Sequence, residues 1–254
     1  MTHVDSLEHG PQELHFVHKR SKNPGATPLI FAHGWPGNFL EVSKIIDELA
    51  DPKDPKHPSF HVVAPSLPGY VFSQRASTPG MDAKETAYVF DKLMAKLGYN
   101  NYLAQGGDWG ALVCRALALY HQGRCLGTHL NMTFAGFPSA LKHPWLSVKT
   151  ALGFIGLPGG ISTEEVDALK DVQQFGKSGA GYFHIQGTRP QVWAIGLSRI
   201  STVNLFLLDA CGFPDCPVGL LAWISEKLYS WTDKYPWTPE ELITWTMLYW
   251  INGV

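Results

Sequence analysis

Apolar and polar positions along the chain follow two periods that alternate. Short apolar runs, some rich in β-branched residues, predict strands over 14–17, 28–32, 60–64, 102–104 and 128–132. Longer segments between them have the spacing of amphipathic helices; over 90–97, Phe90, Leu93, Met94 and Leu97 share one face, and Gly98 ends the segment. Strands that alternate with helices predict an α/β fold, with a mostly parallel sheet covered by helices on both faces.

Four helix starts show the capping-box spacing, in which a Ser, Thr, Asp or Asn is followed three residues later by Glu. The pairs are Asn38 and Glu41, Asp82 and Glu85, Ser162 and Glu165, and Thr238 and Glu241. The first pair predicts one helix over 39–50. Pro239 occupies the first helical position after Thr238, where proline is favoured.

The pattern changes after Met132, where Gly, Pro and aromatic residues become frequent and helical segments follow one another without strands. This change predicts two parts. Residues 1–132 form the N-terminal half of an α/β core, and residues 133–254 form a helical cap.

Composition narrows the function classes. Apolar residues make up 45% of the 254 residues and charged residues 17%, which excludes a disordered chain, and the net charge of −2 argues against a nucleic-acid partner. No apolar run is long enough to predict a transmembrane segment, and no signal peptide is visible. Four irregularly spaced cysteines suggest neither a disulfide framework nor a metal site, so we expect a cytoplasmic protein without a cofactor.

The segment Gly106-Gly107-Asp108-Trp109-Gly110 lies between a predicted strand and a predicted helix. A nucleophile between small residues at such a turn is typical of the nucleophile elbow, here with Asp in place of Ser. The glycines are needed because side chains would collide with the neighbouring strand and helix. The alternative is that Asp108 is only a helix N-cap.

A second motif, His33-Gly34-Trp35-Pro36-Gly37, follows the predicted strand over 28–32. The backbone amides of Trp35 and Trp109 are candidate donors of an oxyanion hole, because both motifs follow strands of one parallel sheet. Alone, the segment could be a rigid turn.

Together with PSLPGY at 65–70 and GYFHIQGTRPQ at 181–191, these motifs resemble the microsomal-type and fungal epoxide hydrolases of the α/β-hydrolase superfamily. The resemblance implies that Asp108 opens an epoxide by forming an alkyl ester, which an activated water then hydrolyses. It also implies that Tyr182 hydrogen-bonds the epoxide oxygen. Trp35 and Trp109 would supply the oxyanion-hole donors, and the expected partners are a small apolar epoxide and water, with the oligomeric state left open.

The chain departs from the family pattern in three ways. It ends before the family's second tyrosine, last strands, acid and catalytic histidine, and His33, His129 and His184 do not match that histidine. It also starts late, so we expect truncation at both ends, an incomplete cap and impaired hydrolysis. Residues 199–214 have no counterpart in the family and are hypothesised to be a translated intron.

The reactivity of a carboxylate at the elbow agrees with the resemblance, but it also allows other substrates than an epoxide. A carboxylate is a poor nucleophile towards esters and can displace at an sp³ carbon, so Asp108 favours an epoxide or an alkyl halide. Tyr182 favours the epoxide, because a halide needs no proton donor. A haloalkane dehalogenase and a non-catalytic remnant of the fold remain alternative hypotheses.

Overall fold

The computed structural model describes residues 1–133, 138–188 and 217–251. The chain divides into two compact units. Residues 1–133 and 217–251 belong to the first, and residues 138–188 belong to the second. The last two helices therefore group with the sheet; the assignment of 133–254 as a cap remains a prediction.

A five-stranded sheet forms the centre of the first unit. Its strands are β3 (Phe16–Lys19), β4 (Thr27–Ala32), β5 (Phe60–Pro65), β6 (Tyr102–Gly106) and β7 (Cys125–Leu130). They are arranged in the order β3-β5-β4-β6-β7, and all neighbours are parallel except β3 and β5. The predicted α/β architecture is thus confirmed. A separate antiparallel pair precedes the sheet, formed by β1 (Thr2–Asp5) and β2 (Pro11–Leu14).

Apolar side chains cover both faces of this sheet. Ile30 and Val63 belong to the larger core, which also contains residues of helices α2 (Ala83–Lys96) and α3 (Trp109–Tyr120). Val62 and Ala64 belong to a smaller core on the other face, against which residues of α1 (Ile46–Ala50) pack. The period-2 alternation of strand side chains explains why consecutive residues join different cores.

The strand predicted over 14–17 is wrong as a continuous element. His15 separates β2 from β3, because its backbone N–H donates to Ser73 Oγ at 3.1 Å and leaves the strand ladder. Its ring nitrogen Nδ1 is also hydrogen-bonded, to Ser66 Oγ at 2.9 Å. Side-chain hydrogen bonds from a distant loop thus divide one apolar run between two sheets.

The single helix predicted over 39–50 is also wrong. A 3-10 turn over Phe39–Val42 is followed by the short helix α1. The side chain of Asn38 accepts from the amide of Leu40 at 2.8 Å, and no capping box forms with Glu41. The side chain of Glu41 turns instead towards the loop that follows β4.

The other predicted caps agree better with the structure. Capping boxes are present at Ser162 and Glu165, and at Thr238 and Glu241. Asp82 accepts from the amide of Glu85 at 2.9 Å. The carboxylate of Glu85 is used elsewhere, since it accepts from the amides of Leu7 and Glu8 at 2.6 and 3.1 Å.

Five helices complete the described residues. The second unit contains α4 (Pro144–Phe154), α5 (Thr163–Ser178) and α6 (Gly181–Thr188), and the first unit also contains α7 (Pro217–Ser230) and α8 (Pro239–Trp250). Residues 199–214 lie outside the described residues, which stop at 188 and resume at 217. Within the described residues, no helix has the length and apolar character needed to cross a membrane.

Candidate active site

The two motifs predicted to cooperate lie side by side at the carboxyl edge of the sheet. Strands β4 and β6 are parallel neighbours, and Ala32 pairs with Gly106 at their last residues. The HGWPG loop (residues 33–37) and the elbow around Asp108 therefore leave the sheet at the same level. This is the position at which open α/β sheets bind ligands.

Asp108 occupies the turn between β6 and α3. Its backbone has φ 50° and ψ −124°, a conformation that residues other than glycine rarely adopt and that recurs at functional sites. Its side chain makes no capping hydrogen bond to α3. Oδ1 instead accepts from the backbone N–H of Trp35 at 2.8 Å. The reading of Asp108 as only an N-cap is therefore not supported by this geometry.

Close packing explains the glycines of the elbow. A Cβ atom on Gly110 would lie 2.1 Å from the carbonyl oxygen of Ala32, and one on Gly106 would lie 2.5 Å from Gly110 itself. Both distances are far below any van der Waals contact. The predicted collisions with the neighbouring strand and helix are thus present at these two positions.

His33 connects the HGWPG loop to the segment that begins at Leu67. Its ring is buried, Nε2 accepts from the amide of Leu67 at 3.0 Å, and Nδ1 lies 3.0 Å from the carbonyl oxygen of Gly34. These partners fit a neutral ring with the proton on Nδ1. Burial lowers the pKa of His33 to about 4, so the ring stays neutral near pH 7. We assign His33 a structural role.

Glu41 places a second carboxyl group beside this loop. A Cβ atom built on Gly37 would lie 1.5 Å from Oε1 of Glu41, which shows that the carboxyl group lies against the loop backbone. Glu41 as a whole residue is exposed, and it lines the adjacent cavity. Desolvation, together with the charge of Asp108, raises the pKa of Glu41 to about 7.

Helix α8 holds the same loop from the other side. The indole N–H of Trp245 donates to the carbonyl of Pro36 at 2.7 Å, and the hydroxyl of Tyr249 donates to the carbonyl of Gly37 at 2.5 Å. Burial, with Tyr70, Glu41 and Asp108 nearby, raises the pKa of Tyr249, so its hydroxyl stays a donor. The loop is thus hydrogen-bonded to a helix more than 200 residues later in the chain.

A cavity of about 840 Å³ opens beside Asp108 within the first unit. Loop residues, Asn131 and Met132 after β7, and residues of α7 and α8 line it. Its aromatic walls come from Trp35, Trp231, Tyr235, Trp237 and Trp245. The charged groups in the walls are Asp108, Glu41, Lys44, Lys227, Asp233, Glu240 and Glu241. Asp108 thus borders a cavity whose walls combine aromatic and charged side chains.

Trp109 and Tyr182 are the other two residues that the sequence predicts for the site. Trp109 is the first residue of α3, directly after Asp108, and its side chain is 45% exposed. Tyr182 lies in α6 of the second unit, where it is half-buried and its ring lies 6.5 Å from that of Phe183. The roles of Tyr182 and of the Trp109 amide therefore stay predictions. In the described residues, no group of three or more His, Cys, Asp or Glu side chains is arranged to hold a metal ion.

Sequence reasoning missed three residues of the site. The capping-box spacing predicts only a capping role for Glu41, and the helical pattern predicts only a cap helix around Trp245 and Tyr249. Glu41 lies four residues after the HGWPG motif, and this short spacing was the one signal available. Nothing in the local sequence links α8 to a loop at residues 33–37.

Comparisons with known proteins agree with this geometry. Residues 27–155 match the family model for the alpha/beta hydrolase fold, and residues 1–42 match the model described as epoxide hydrolase N terminus. Epoxide hydrolase 1 of Oryctolagus cuniculus is 35% identical over 264 residues, which cover 95% of this chain and 53% of the relative. Juvenile hormone epoxide hydrolase of Bombyx mori is 35% identical over 257 residues, covering 93% and 50%. The chain spans about half the length of these curated relatives.

Solved structures give the same result. The crystal structure of juvenile hormone epoxide hydrolase from the silkworm Bombyx mori matches with a TM-score of 0.74 and 33% identity, covering 97% of this chain and 57% of that one. The structure of Aspergillus niger epoxide hydrolase matches with a TM-score of 0.70 and 30% identity, covering 96% and 57%. The chain therefore belongs to the α/β-hydrolase family and, within it, to the epoxide hydrolases.

Proposed function

We propose that this chain opens small apolar epoxides through an alkyl ester on Asp108. The observation that carries the proposal is the hydrogen bond from the Trp35 amide to Oδ1 of Asp108, at a strained elbow beside an aromatic cavity. A carboxylate positioned in this way can attack an epoxide carbon, because displacement at an sp³ centre gives a stable ester. A small apolar epoxide is the kind of electrophile that a cavity with aromatic walls can bind.

In the first step, an oxygen of Asp108 forms a bond to an epoxide carbon and the ring C–O bond breaks. The released alkoxide takes a proton, for which Tyr182 is the proposed donor. In the second step, water adds to the ester carbonyl and negative charge develops on its oxygen. The amides of Trp35 and Trp109 are the proposed donors to this oxyanion, in a site where such donors typically contribute 10²–10³-fold.

Hydrolysis of the ester is the step that we expect to be impaired. None of the described residues lining the cavity is a histidine, and His33 is buried with both ring nitrogens engaged. General bases typically contribute about 10²–10⁴-fold. We therefore propose that the ester accumulates in this 254-residue chain. We also propose a cytoplasmic location, which the cysteine content suggests, and a role in the detoxification of aryl epoxides.

The test is mass spectrometry of the peptide containing Asp108 after incubation with a reactive aryl epoxide. We expect a mass increase equal to one intact epoxide, and no increase in the Asp108→Asn variant. Rapid diol production without an adduct would contradict the proposed accumulation. The absence of an adduct in a folded sample would contradict the function and favour the non-catalytic remnant.

The dehalogenase alternative has a separate test. Incubation with a haloalkane would release halide if Asp108 displaced it, and we expect none. The relatives reported above are all epoxide hydrolases by name, which also favours the epoxide.

A further inference from the structure

Trp245 of α8 lines the cavity and also donates to the HGWPG loop through its indole N–H. We propose that Trp245 is a positioning residue for Asp108 in which the two parts of the side chain have separate roles. The N–H holds the loop where the Trp35 amide reaches Asp108, and it thereby sets the maximal rate of ester formation. The apolar surface of the ring contributes to binding of the epoxide. This inference rests on the proposed function, because it needs the ester to form.

Hydrogen bonds hold both ends of the HGWPG loop. At its start, the buried ring of His33 is hydrogen-bonded to the segment after β5, and at its end the carbonyl of Gly37 accepts from Tyr249. Between these ends, the carbonyl of Pro36 accepts from the indole of Trp245 at 2.7 Å. The Trp245 hydrogen bond is therefore placed to fix the middle of the loop, where the donor to the nucleophile lies.

Three consecutive loop residues connect this hydrogen bond to the nucleophile. A Cβ atom on Gly34 would lie 2.4 Å from Asp108, and the Trp35 amide donates to Oδ1 of Asp108 at 2.8 Å. Pro36 follows directly, and a proline fixes its own φ and restricts the residue before it. A shift of the Pro36 carbonyl therefore moves the Trp35 backbone as well. Because a displacement of about 1 Å at a reacting group can cost about 10²-fold in rate, this shift should slow attack by Asp108.

A series of aromatic rings orients Trp245 from the side of the α7–α8 connection. The ring centroids of Trp237 and Trp245 lie 5.4 Å apart, and those of Tyr235 and Trp237 lie 4.6 Å apart, both edge to face. The hydroxyl of Tyr235 donates to Oε1 of Glu241 at 2.7 Å, and the same oxygen pairs with Lys44 at 2.7 Å. The ring of Trp245 is thus held by its neighbours, and its N–H has a defined direction.

The indole N–H of Trp237 has a different use, although this residue lines the same cavity. It donates to the carbonyl of Leu228 at 3.2 Å and to Oγ1 of Thr232 at 3.1 Å, at and just after the end of α7. Trp237 and Trp245 thus offer similar rings to the cavity, but their N–H groups bind different parts of the chain. The positioning role therefore belongs to the N–H of Trp245 and not to the aromatic walls in general.

The experiment measures the rate of ester formation on Asp108 at increasing concentrations of an aryl epoxide, by mass spectrometry. These data give a maximal rate and a half-saturating concentration. Trp245→Phe keeps an apolar ring and removes the N–H. We expect its maximal rate to fall about 10-fold, less than the 10²–10³-fold typical for complete loss of an oxyanion-hole donor, because the ends of the loop are still held. The half-saturating concentration should change little.

Trp245→His is the matched variant. The ring atom Nε2 of histidine has the same position relative to Cβ as Nε1 of tryptophan, and at pH 8 the neutral ring can donate from it. This variant therefore keeps a donor but loses much of the apolar ring surface. We expect a maximal rate close to that of the unmodified chain and a half-saturating concentration raised about 10-fold.

The two variants distinguish positioning from packing. If Trp245 acted only by packing, the histidine variant would lose more apolar contact than the phenylalanine variant and would have the lower maximal rate. That order would overturn the proposal, and so would an unchanged maximal rate in Trp245→Phe. If Trp245→Phe does not fold, a maximal rate of Trp245→His reduced by about 10-fold or more would still overturn it.

Trp145→Phe, at a position of α4 that is 71% exposed, is the control and should match the unmodified chain in both quantities. Circular dichroism of each variant establishes that it is folded before its rate is compared. Absence of the ester in the folded, unmodified chain would overturn the proposed function itself, which keeps that failure distinct from a failure of the role of Trp245.

Discussion

The backbone of Gly34 lies against the side chain of Asp108, since a Cβ atom on Gly34 would be only 2.4 Å from both Cβ and Oδ1 of Asp108. The loop at residues 33–37 can therefore approach Asp108 only because residue 34 has no side chain. This contact brings the Trp35 amide within 2.8 Å of Asp108. The loop and the elbow act as one unit, although 73 residues separate the two partners.

Replacement of Gly34 by alanine should remove this approach. The added methyl group would displace the loop or Asp108, and the Trp35 donor would be lost. We expect adduct formation to slow by about 10²–10³-fold, the typical cost of losing one oxyanion-hole donor or of misplacing a reacting group. Gly123→Ala is the control, because a Cβ atom there would meet no atom within 4 Å. An unchanged rate in Gly34→Ala would contradict the contact.

The Tyr249→Phe variant tests how α8 supports the loop. It leaves the carbonyl of Gly37 without the buried hydroxyl donor that lies 2.5 Å away. We expect the free energy of unfolding to fall by about 1–3 kcal/mol, as measured by urea denaturation. Tyr229→Phe is the control on α7, where the side chain is 56% exposed, and its effect should stay within about 0.5 kcal/mol.

Protonation of His33 should destabilise the fold in mildly acidic solution. In the unfolded chain the ring has its ordinary pKa of 6.5, whereas burial lowers the pKa to about 4 in the folded chain. Between these values the unfolded state binds more protons, so stability is complete above pH 6.5 and decreases as pH falls. The neutral, buried state of His33 contributes about 3 kcal/mol to the free energy of unfolding above pH 6.5, and protonation removes this contribution.

The measurement is urea denaturation over this pH range, for the unmodified chain and for His33→Gln. The variant should show a shallower loss of stability. His15 and His18, whose pKa values burial also lowers, are present in both proteins and cancel in the comparison. Identical slopes would show that His33 is not buried as a neutral ring.

Asp91 joins three elements at the opposite end of β6. It accepts from the hydroxyl of Tyr102 at 2.8 Å and from Nε of Arg124 at 2.6 Å, and His121 Nδ1 lies 3.5 Å away. Asp91→Asn should cost about 3 kcal/mol of unfolding free energy, because the half-buried Arg124 loses its charged partner. Asp47→Asn, which breaks an exposed pair with Lys19, should change stability little. Equal losses of unfolding free energy in the two variants would contradict the conclusion that Asp91 is a buried partner of Tyr102 and Arg124.

The sequence by itself determined most strands of the central sheet and the two motifs around Asp108 and Trp35. Period-2 and helical patterns identified the strands of the parallel sheet, and helix caps such as Ser162 and Thr238 were correct because capping is decided within four residues. The elbow around Asp108 and the loop around Trp35 were recognisable because each needs glycines at fixed positions. Their convergence followed from the general rule that neighbouring parallel strands end at the same edge.

Tertiary structure alone decided where the polar side chains of the site point. Glu41 has the spacing of a capping residue, but its carboxyl group lies against the loop backbone at Gly37, and a 3-10 turn and the short helix α1 replace the predicted helix over 39–50. Trp245 and Tyr249 follow an ordinary helical pattern, yet their donors reach Pro36 and Gly37. Such contacts depend on packing between segments far apart in the chain, and a local pattern of apolar residues carries no information about them.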